Sequence, residues 1–246
     1  MAIIKVKDFN KSFNNKLVHQ NVNFVVNEGE CLGLLGGSGV GKSVILRSLI
    51  GLEKPDSGTI EIEGRDITVL NESQLFEVRK NIAYVFQNGA LFDSMTVFEN
   101  MAYPLRTHSS FSNQEIQSKV AETFSEFNLN GSEQLLPSEL SGGMQKRVGL
   151  ARAIILNPKI VLYDEPTAGL DPANTVTIQN LILKLKSRGT TSILVTHDME
   201  TALRVCDRIC FLKNKEITEL ESIDDLRKNM KHLLDLFLIQ PSEANL

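Results

Sequence analysis

Cys31-Leu32-Gly33-Leu34-Leu35-Gly36-Gly37-Ser38-Gly39-Val40-Gly41-Lys42-Ser43 passes from a continuous apolar stretch into a glycine-rich turn. Helical character follows from Lys42 to Leu49 and ends at Gly51. A strand, a glycine loop and a helix in that order let backbone N–H groups point inward at anionic oxygens, and the helix N-terminus adds positive potential. Lys42 is then placed to reach the β and γ phosphates of a nucleotide, and the Ser43 hydroxyl to hold magnesium. Gly36, Gly37, Ser38, Gly39, Val40, Gly41, Lys42, Ser43 and Val44 are the candidate nucleotide contacts.

Outward from this unit, Ile3-Ile4-Lys5-Val6 and Val22-Asn23-Phe24-Val25-Val26 flank the turn-forming pair Asn14-Asn15 and predict a small antiparallel sheet. Thr59 to Glu63 alternates between Gly58 and Gly64, as a half-exposed strand does. Ile82 to Phe86 reads as a buried strand ending in Gln87, and Ile160–Tyr163 and Thr191–Val195 enclose a helical pattern from Ala173 to Ser187. Strands alternating with helices imply parallel crossovers and a sheet covered on both faces. From about 113 to 157 helical periodicity takes over, with Ser112 as N-cap and breaks at Pro137 and Pro158. The expected fold is α/β: a P-loop NTPase core with a mostly parallel sheet, an N-terminal antiparallel β subdomain and an inserted helical subdomain at 113–157. The ATPase-like domain is expected over 1–221 and a helical tail over 222–246. In the tail, Ile223, Leu226, Met230, Leu233, Leu234 and Phe237 form an apolar stripe suited to docking on a protein surface.

The 246 residues, 42% hydrophobic and 23% charged, suffice for one large domain with a minor subdomain. A net charge of −4, a pI near 5.7 and no long basic block argue against nucleic acid as a partner. Cys31, Cys206 and Cys210 are too few for a disulfide framework, and no charged-then-apolar segment opens the sequence, so a reducing cytosolic setting is expected. Cys206 and Cys210 read as small buried apolar residues rather than a metal pair. No run of about 18 uncharged apolar residues occurs, so any membrane role needs a partner.

A second anion-binding helix start lies at Leu140-Ser141-Gly142-Gly143-Met144, ahead of the acidic strand Ile160-Val161-Leu162-Tyr163-Asp164-Glu165-Pro166. One chain cannot easily apply both phosphate surfaces to one ATP. This order of motifs resembles the ATPase subunits of ABC transporters, whose sites form between two copies, and the resemblance covers roughly residues 3–220.

The resemblance implies the following roles. Asp164, at a carboxyl strand edge where ligands gather, holds the magnesium shell through water. Glu165 is the general base that polarises the attacking water. His197, in Thr196-His197-Asp198, matches the switch histidine that contacts the γ-phosphate and orients Glu165. Gln87 matches the glutamine loop, which meets magnesium and the attacking water; an exposed turn amide is the plainer alternative. Phe13 sits where many relatives place a tyrosine on adenine, and a core phenylalanine is its alternative. Ser141, Gly142 and Gly143 cap the γ-phosphate of ATP on the opposite subunit, and Ala168-Gly169-Leu170-Asp171 crosses the dimer interface. Met144 departs from the common glutamine and Val44 from a second hydroxyl, and neither change removes a catalytic group. The implied cofactors are ATP and Mg2+.

The segment from Asn88 to Leu105, with Asn-Gly-Ala-Leu-Phe-Asp, Val-Phe-Glu-Asn and Tyr-Pro-Leu, resembles the ATPases of Mce-associated, lipid-asymmetry-maintaining transporters. The implied function is an ATP-hydrolysing subunit powering phospholipid movement between membranes. Its partners are a second copy of itself, an integral-membrane permease met through the region after Gln87, and accessory subunits. Its place is peripheral, on the cytoplasmic face of the inner membrane. An amino-acid-type importer ATPase and a soluble ABC ATPase unlinked to transport are the alternatives; the latter usually carries a long coiled-coil insertion or two cassettes in tandem.

Overall fold

The computed structural model describes residues 1–228. The chain forms two compact units, one of Met1–Asn71 with the segment from Ile193 onward, the other of Glu72–Ser192. The first opens with strands β1 (Ala2–Phe13), β2 (Lys16–Asn27) and β3 (Cys31–Leu35), helix α1 (Lys42–Leu49) and strands β4 (Ser57–Ile62) and β5 (Arg65–Asp66). The second holds α2 (Glu72–Arg79), β6 (Ile82–Val85), α3 (Val97–His108), α4 (Asn113–Glu126), α5 (Gly142–Ile154), β7 (Ile160–Asp164) and α6 (Pro172–Ser187). Strand β8 (Thr191–Thr196) returns the chain to the first unit, which continues with α7 (Met199–Val205), β9 (Arg208–Lys213), β10 (Glu216–Ser222) and α8 (Ile223–Lys228).

In the first unit the antiparallel sheet runs β2-β1-β4-β5. Asn14 and Asn15 both adopt left-handed φ, 46° and 62°, the turn geometry that matches the twist of the strands it joins. The register sets Val6 opposite Phe24 on one side and Ile60 on the other, and all three are buried. Strand β9 lies between β10 and β3, parallel to β3 with Leu32 opposite Arg208 and Leu35 opposite Phe211. Every residue of β3 and β8 is buried, as parallel strands covered on both faces require. In the second unit β6 and β7 are parallel neighbours, Ile82 opposite Ile160 and Val85 opposite Tyr163. Helices α3 and α4 start at capping boxes, Thr96 with Glu99 and Ser112 with Glu115, each satisfying N–H groups that a helix start leaves open. Helix α3 thus precedes residue 113.

All three cysteines are free and buried, and burial pushes the Cys210 thiol up to about 12. Among the described residues no cluster of three or more His, Cys, Asp or Glu could hold a metal, and no helix is long and apolar enough to cross a membrane. In the tail, Ile223 and Leu226 are buried, the Ile223 N–H donates to the Asp207 carbonyl at 2.9 Å, and Arg227 reaches the Leu203 carbonyl at 2.9 Å. These two members of the apolar stripe are thus buried, at a point where the backbone is bonded to residues of its own unit. Met230, Leu233, Leu234 and Phe237 lie outside the described residues.

Candidate nucleotide site

The loop after β3 is anchored at both ends by contacts that only glycine permits. A Cβ on Gly36 would lie 2.7 Å from the Leu212 carbonyl oxygen of β9, and Gly41 has φ 100° with a side chain packed where its Cβ would stand. Between these anchors Gly37, Ser38 and Gly39 are exposed, and a Cβ on Gly39 would meet nothing within 4 Å. Lys42 is only 7% exposed, and its Nζ donates to the Gly36 and Gly37 carbonyls at 2.8 and 2.9 Å. An ammonium held over an open, side-chain-poor turn at a helix N-terminus suits a polyphosphate. Ser43 sits half-buried in the first turn of α1. The Val44 side chain is buried and its N–H donates to the Gly41 carbonyl at 2.9 Å, so it serves the helix start rather than offering a free polar group.

The last residues of β8 belong to the same unit and border β3. His197 follows them, exposed. Its position is fixed on the carboxyl side by Asp198, which caps α7 by accepting from the Glu200 and Thr201 N–H groups at 3.0 and 3.3 Å. The Asp198 N–H in turn donates to Thr196 Oγ1 at 3.0 Å. Phe13 ends β1 with 37% exposure and Lys11 Nζ 4.7 Å from its ring centroid, so it is not a core phenylalanine.

In the second unit Asp164 ends β7, nearly buried, and accepts from Tyr84 Oη at 2.8 Å. Glu165 follows with φ 50°, a left-handed conformation that costs a non-glycine residue energy and turns the chain sharply off the strand. Gln87 leaves the same end of neighbouring β6, exposed, two residues past the Val85–Tyr163 pair just as Glu165 is. Ser141 caps α5, its Oγ accepting from the Met144 N–H at 3.3 Å. A Cβ on Gly142 would meet open space, but one on Gly143 would lie 2.4 Å from Asn174. Asn174 also bonds Asp171 and accepts from Arg147 at 2.9 Å, which packs the start of α5 against the start of α6. Lys146 Nζ donates to the Ala168 carbonyl. Burial holds its ammonium below the usual lysine pKa, and the Glu165 carboxylate opposes that shift.

The segment after Gln87 lies directly on α5. A Cβ on Gly149 would come within 2.6 Å of the Gly89 Cα, and Arg152 donates to the Gly89 and Ala90 carbonyls at 3.1 and 2.8 Å. Gly89 and Ala90 have φ 72° and 49°, a conformation open to the glycine and costly for the alanine, so the guanidinium braces the strained residue. Gly149→Ala should therefore cost about 2 kcal/mol of stability through overpacking against backbone. Urea unfolding checks this, and an unchanged midpoint would mean that the two segments do not touch. Tyr84, Lys146, Asn174 and Arg152 were not legible as site residues in the sequence. Only Lys146 carries a signal, lying four residues after Gly142 and hence on its helix face.

A glycine loop behind a buried strand, and an acidic pair at the end of another, are the features of a P-loop nucleotide-binding cassette; the second capped glycine helix start narrows it further. Residues 19–168 match the ABC transporter family, and the chain belongs to it. It is 42% identical over 215 residues to the probable ribonucleotide transport ATP-binding protein mkl of Mycobacterium leprae, covering 87% of this chain and 62% of that protein. The chain thus spans about three fifths of that relative's length. It is 37% identical over 228 residues to the intermembrane phospholipid transport system ATP-binding protein MlaF of Escherichia coli K12, covering 92% of this chain and 85% of MlaF. Its fold superposes on a dimeric post-hydrolysis state of the ATP-binding cassette MJ0796 bound to ADP and Pi, with TM-score 0.82, 33% identity, and coverage of 89% and 98%.

Proposed function

We propose that the chain is the ATP-hydrolysing subunit of an ABC transporter that moves phospholipid between membranes, working as a pair of copies. The loop Gly36–Ser43 binds the phosphates, Lys42 supplies a point charge to the β and γ groups, and Phe13 offers its exposed ring to adenine. Ser43, Gln87 and Asp164 hold magnesium, which when bound neutralises charge on the phosphates. Glu165 takes the proton of the attacking water and His197 orients it. The observation that carries the two-copy reading is α5: Ser141 caps it, and Ser141 and Gly142 form an exposed helix end with no side chain over Gly142, while Gly143 is buried behind them. That end suits the γ-phosphate of ATP held by the other copy's loop.

Cysteines introduced at Ser38 and Ser141 are expected to crosslink between chains, and only when nucleotide is present. Crosslinks confined to single chains would overturn the two-copy site.

The permease surface in this reading is the exposed aromatic patch after Gln87. Phe92 and Tyr103 lie with ring centroids 5.0 Å apart, and the Arg152 guanidinium stands 5.3 Å from the Phe92 centroid. Through it the chain sits at the cytoplasmic face of the inner membrane. The relatives' names differ in cargo, and the Asn88–Leu105 segment favours phospholipid. Co-purification from membranes should yield a permease and a lipid-binding subunit; a small-solute-binding subunit instead would decide for the importer.

A further inference from the structure

Strand β2 places one residue against the phosphate loop that none of these roles includes. His19 is fully buried, and its Nε2 lies 3.0 Å from the Gly41 carbonyl oxygen. A carbonyl only accepts, so Nε2 carries the proton and the neutral ring leaves Nδ1 as a bare acceptor. Nδ1 is buried without a partner. Burial pushes the His19 pKa below the usual histidine value, with the bond to Gly41 opposing, which fits that neutral tautomer. The ring is wedged between Phe9, centroids 5.6 Å apart, and the loop itself.

Gly41 is the residue at which loop becomes helix. Its φ of 100° is left-handed, and no side chain caps the start of α1. Its carbonyl already accepts from the Val44 and Ile45 N–H groups at 2.9 and 3.4 Å, so the His19 bond adds a third donor from outside the loop. A Cβ on Gly41 would stand 2.7 Å from His19 Nε2 and 2.7 Å from Val18 Cγ1. The bare glycine admits the ring, and the ring fixes the plane of the peptide that presents Lys42.

We propose that His19 is a positioning residue for nucleotide binding: through its bond to Gly41 it sets the Gly41–Lys42 peptide, and with it the Lys42 and Ser43 N–H groups. The inference rests on the nucleotide reading of the loop given above. A ring without a donor would keep the wedge and lose the orientation. A glutamine, whose Nε2 can reach the same carbonyl, would keep the orientation.

The test titrates ADP with magnesium into the full chain and its variants by calorimetry. His19→Phe is expected to bind about tenfold more weakly, the effect of losing one buried hydrogen bond. Its turnover at saturating ATP should stay within about twofold of the parent, and His19→Gln should restore affinity to within about threefold. Parental affinity in His19→Phe, or equal loss in His19→Gln, would overturn the proposal. A parent chain that does not bind ADP would sink the nucleotide reading, and this inference with it. Should His19→Phe fail to fold, nitrogen-15 spectra of the parent decide. An Nε2–H tautomer whose signals move on adding ADP supports the role, whereas an Nδ1–H tautomer or unmoved signals refute it.

Discussion

Glu165→Gln is expected to bind ATP with parental affinity and to turn it over roughly a thousandfold more slowly, within the range that loss of a general base produces. The amide keeps the size and shape of the carboxylate and can still accept one hydrogen bond, so the left-handed turn at position 165 is undisturbed. What it loses is the ability to take a proton and the negative charge that faces Lys146. Lys146 also bonds the Ala168 carbonyl, and that contact involves no atom of Glu165. The loop leading to Asp171 should therefore stay in place, and the loss should fall on the chemical step. Phosphate release in a single turnover, measured beside equilibrium ATP binding, separates the two. Turnover near the parental rate would remove Glu165 from the role of base, and weakened binding with normal turnover would make it a binding residue instead.

The elements around the glycine loop were readable because each is written in local chemistry. The run Cys31–Leu35 is apolar throughout since β3 is covered on both faces, and Gly51 follows α1 with φ 67°, the left-handed conformation that ends a helix. The Asn14-Asn15 turn and the Ser112 cap announce themselves by the same logic, a side chain or backbone preference acting within four residues. Helix α3 was not readable. It carries Pro104 in its interior and the fully buried polar Asn100, whose Nδ2 donates to the Phe92, Met95 and Thr96 carbonyls, so its composition resembles a loop. Strand β10, Glu216–Ser222, was passed over because it is rich in charge and lies at the sheet edge beside β9.

The supporting contacts of the site fall outside sequence reasoning for a different reason. His19 meets Gly41 across 22 positions, and Tyr84 meets Asp164 across 80. Nothing local in Leu17-Val18-His19-Gln20 marks a residue that touches a phosphate loop. The apolar stripe of the tail illustrates the converse. Spacing identified Ile223 and Leu226 as members of an apolar docking face; both are buried, and the Ile223 N–H is bonded to the Asp207 carbonyl of the same unit. Pattern gives the burial of a face; only the fold gives its neighbour.

Lys42→Ala is expected to weaken ATP binding by more than about a hundredfold while leaving the ligand-free chain at least as stable as the parent. Charge-assisted bonds from one ammonium to phosphate oxygens contribute on the order of 3 kcal/mol, which sets the size of the loss. The second half of the expectation follows from where the charge sits. Lys42 is 7% exposed and its Nζ donates to two loop carbonyls, so the ligand-free fold keeps a cation largely out of water, which is costly unless well partnered. Alanine lifts that cost and favours α1, and the two carbonyls border the exposed stretch Gly37–Gly39, where water can replace the ammonium. The melting temperature without nucleotide should hold or rise, and the increase that saturating ATP gives the parent should vanish, because ligand stabilisation scales with the logarithm of concentration over Kd. A variant that melts lower without ligand yet is still stabilised by ATP as the parent is would make Lys42 a structural residue and take the phosphates elsewhere.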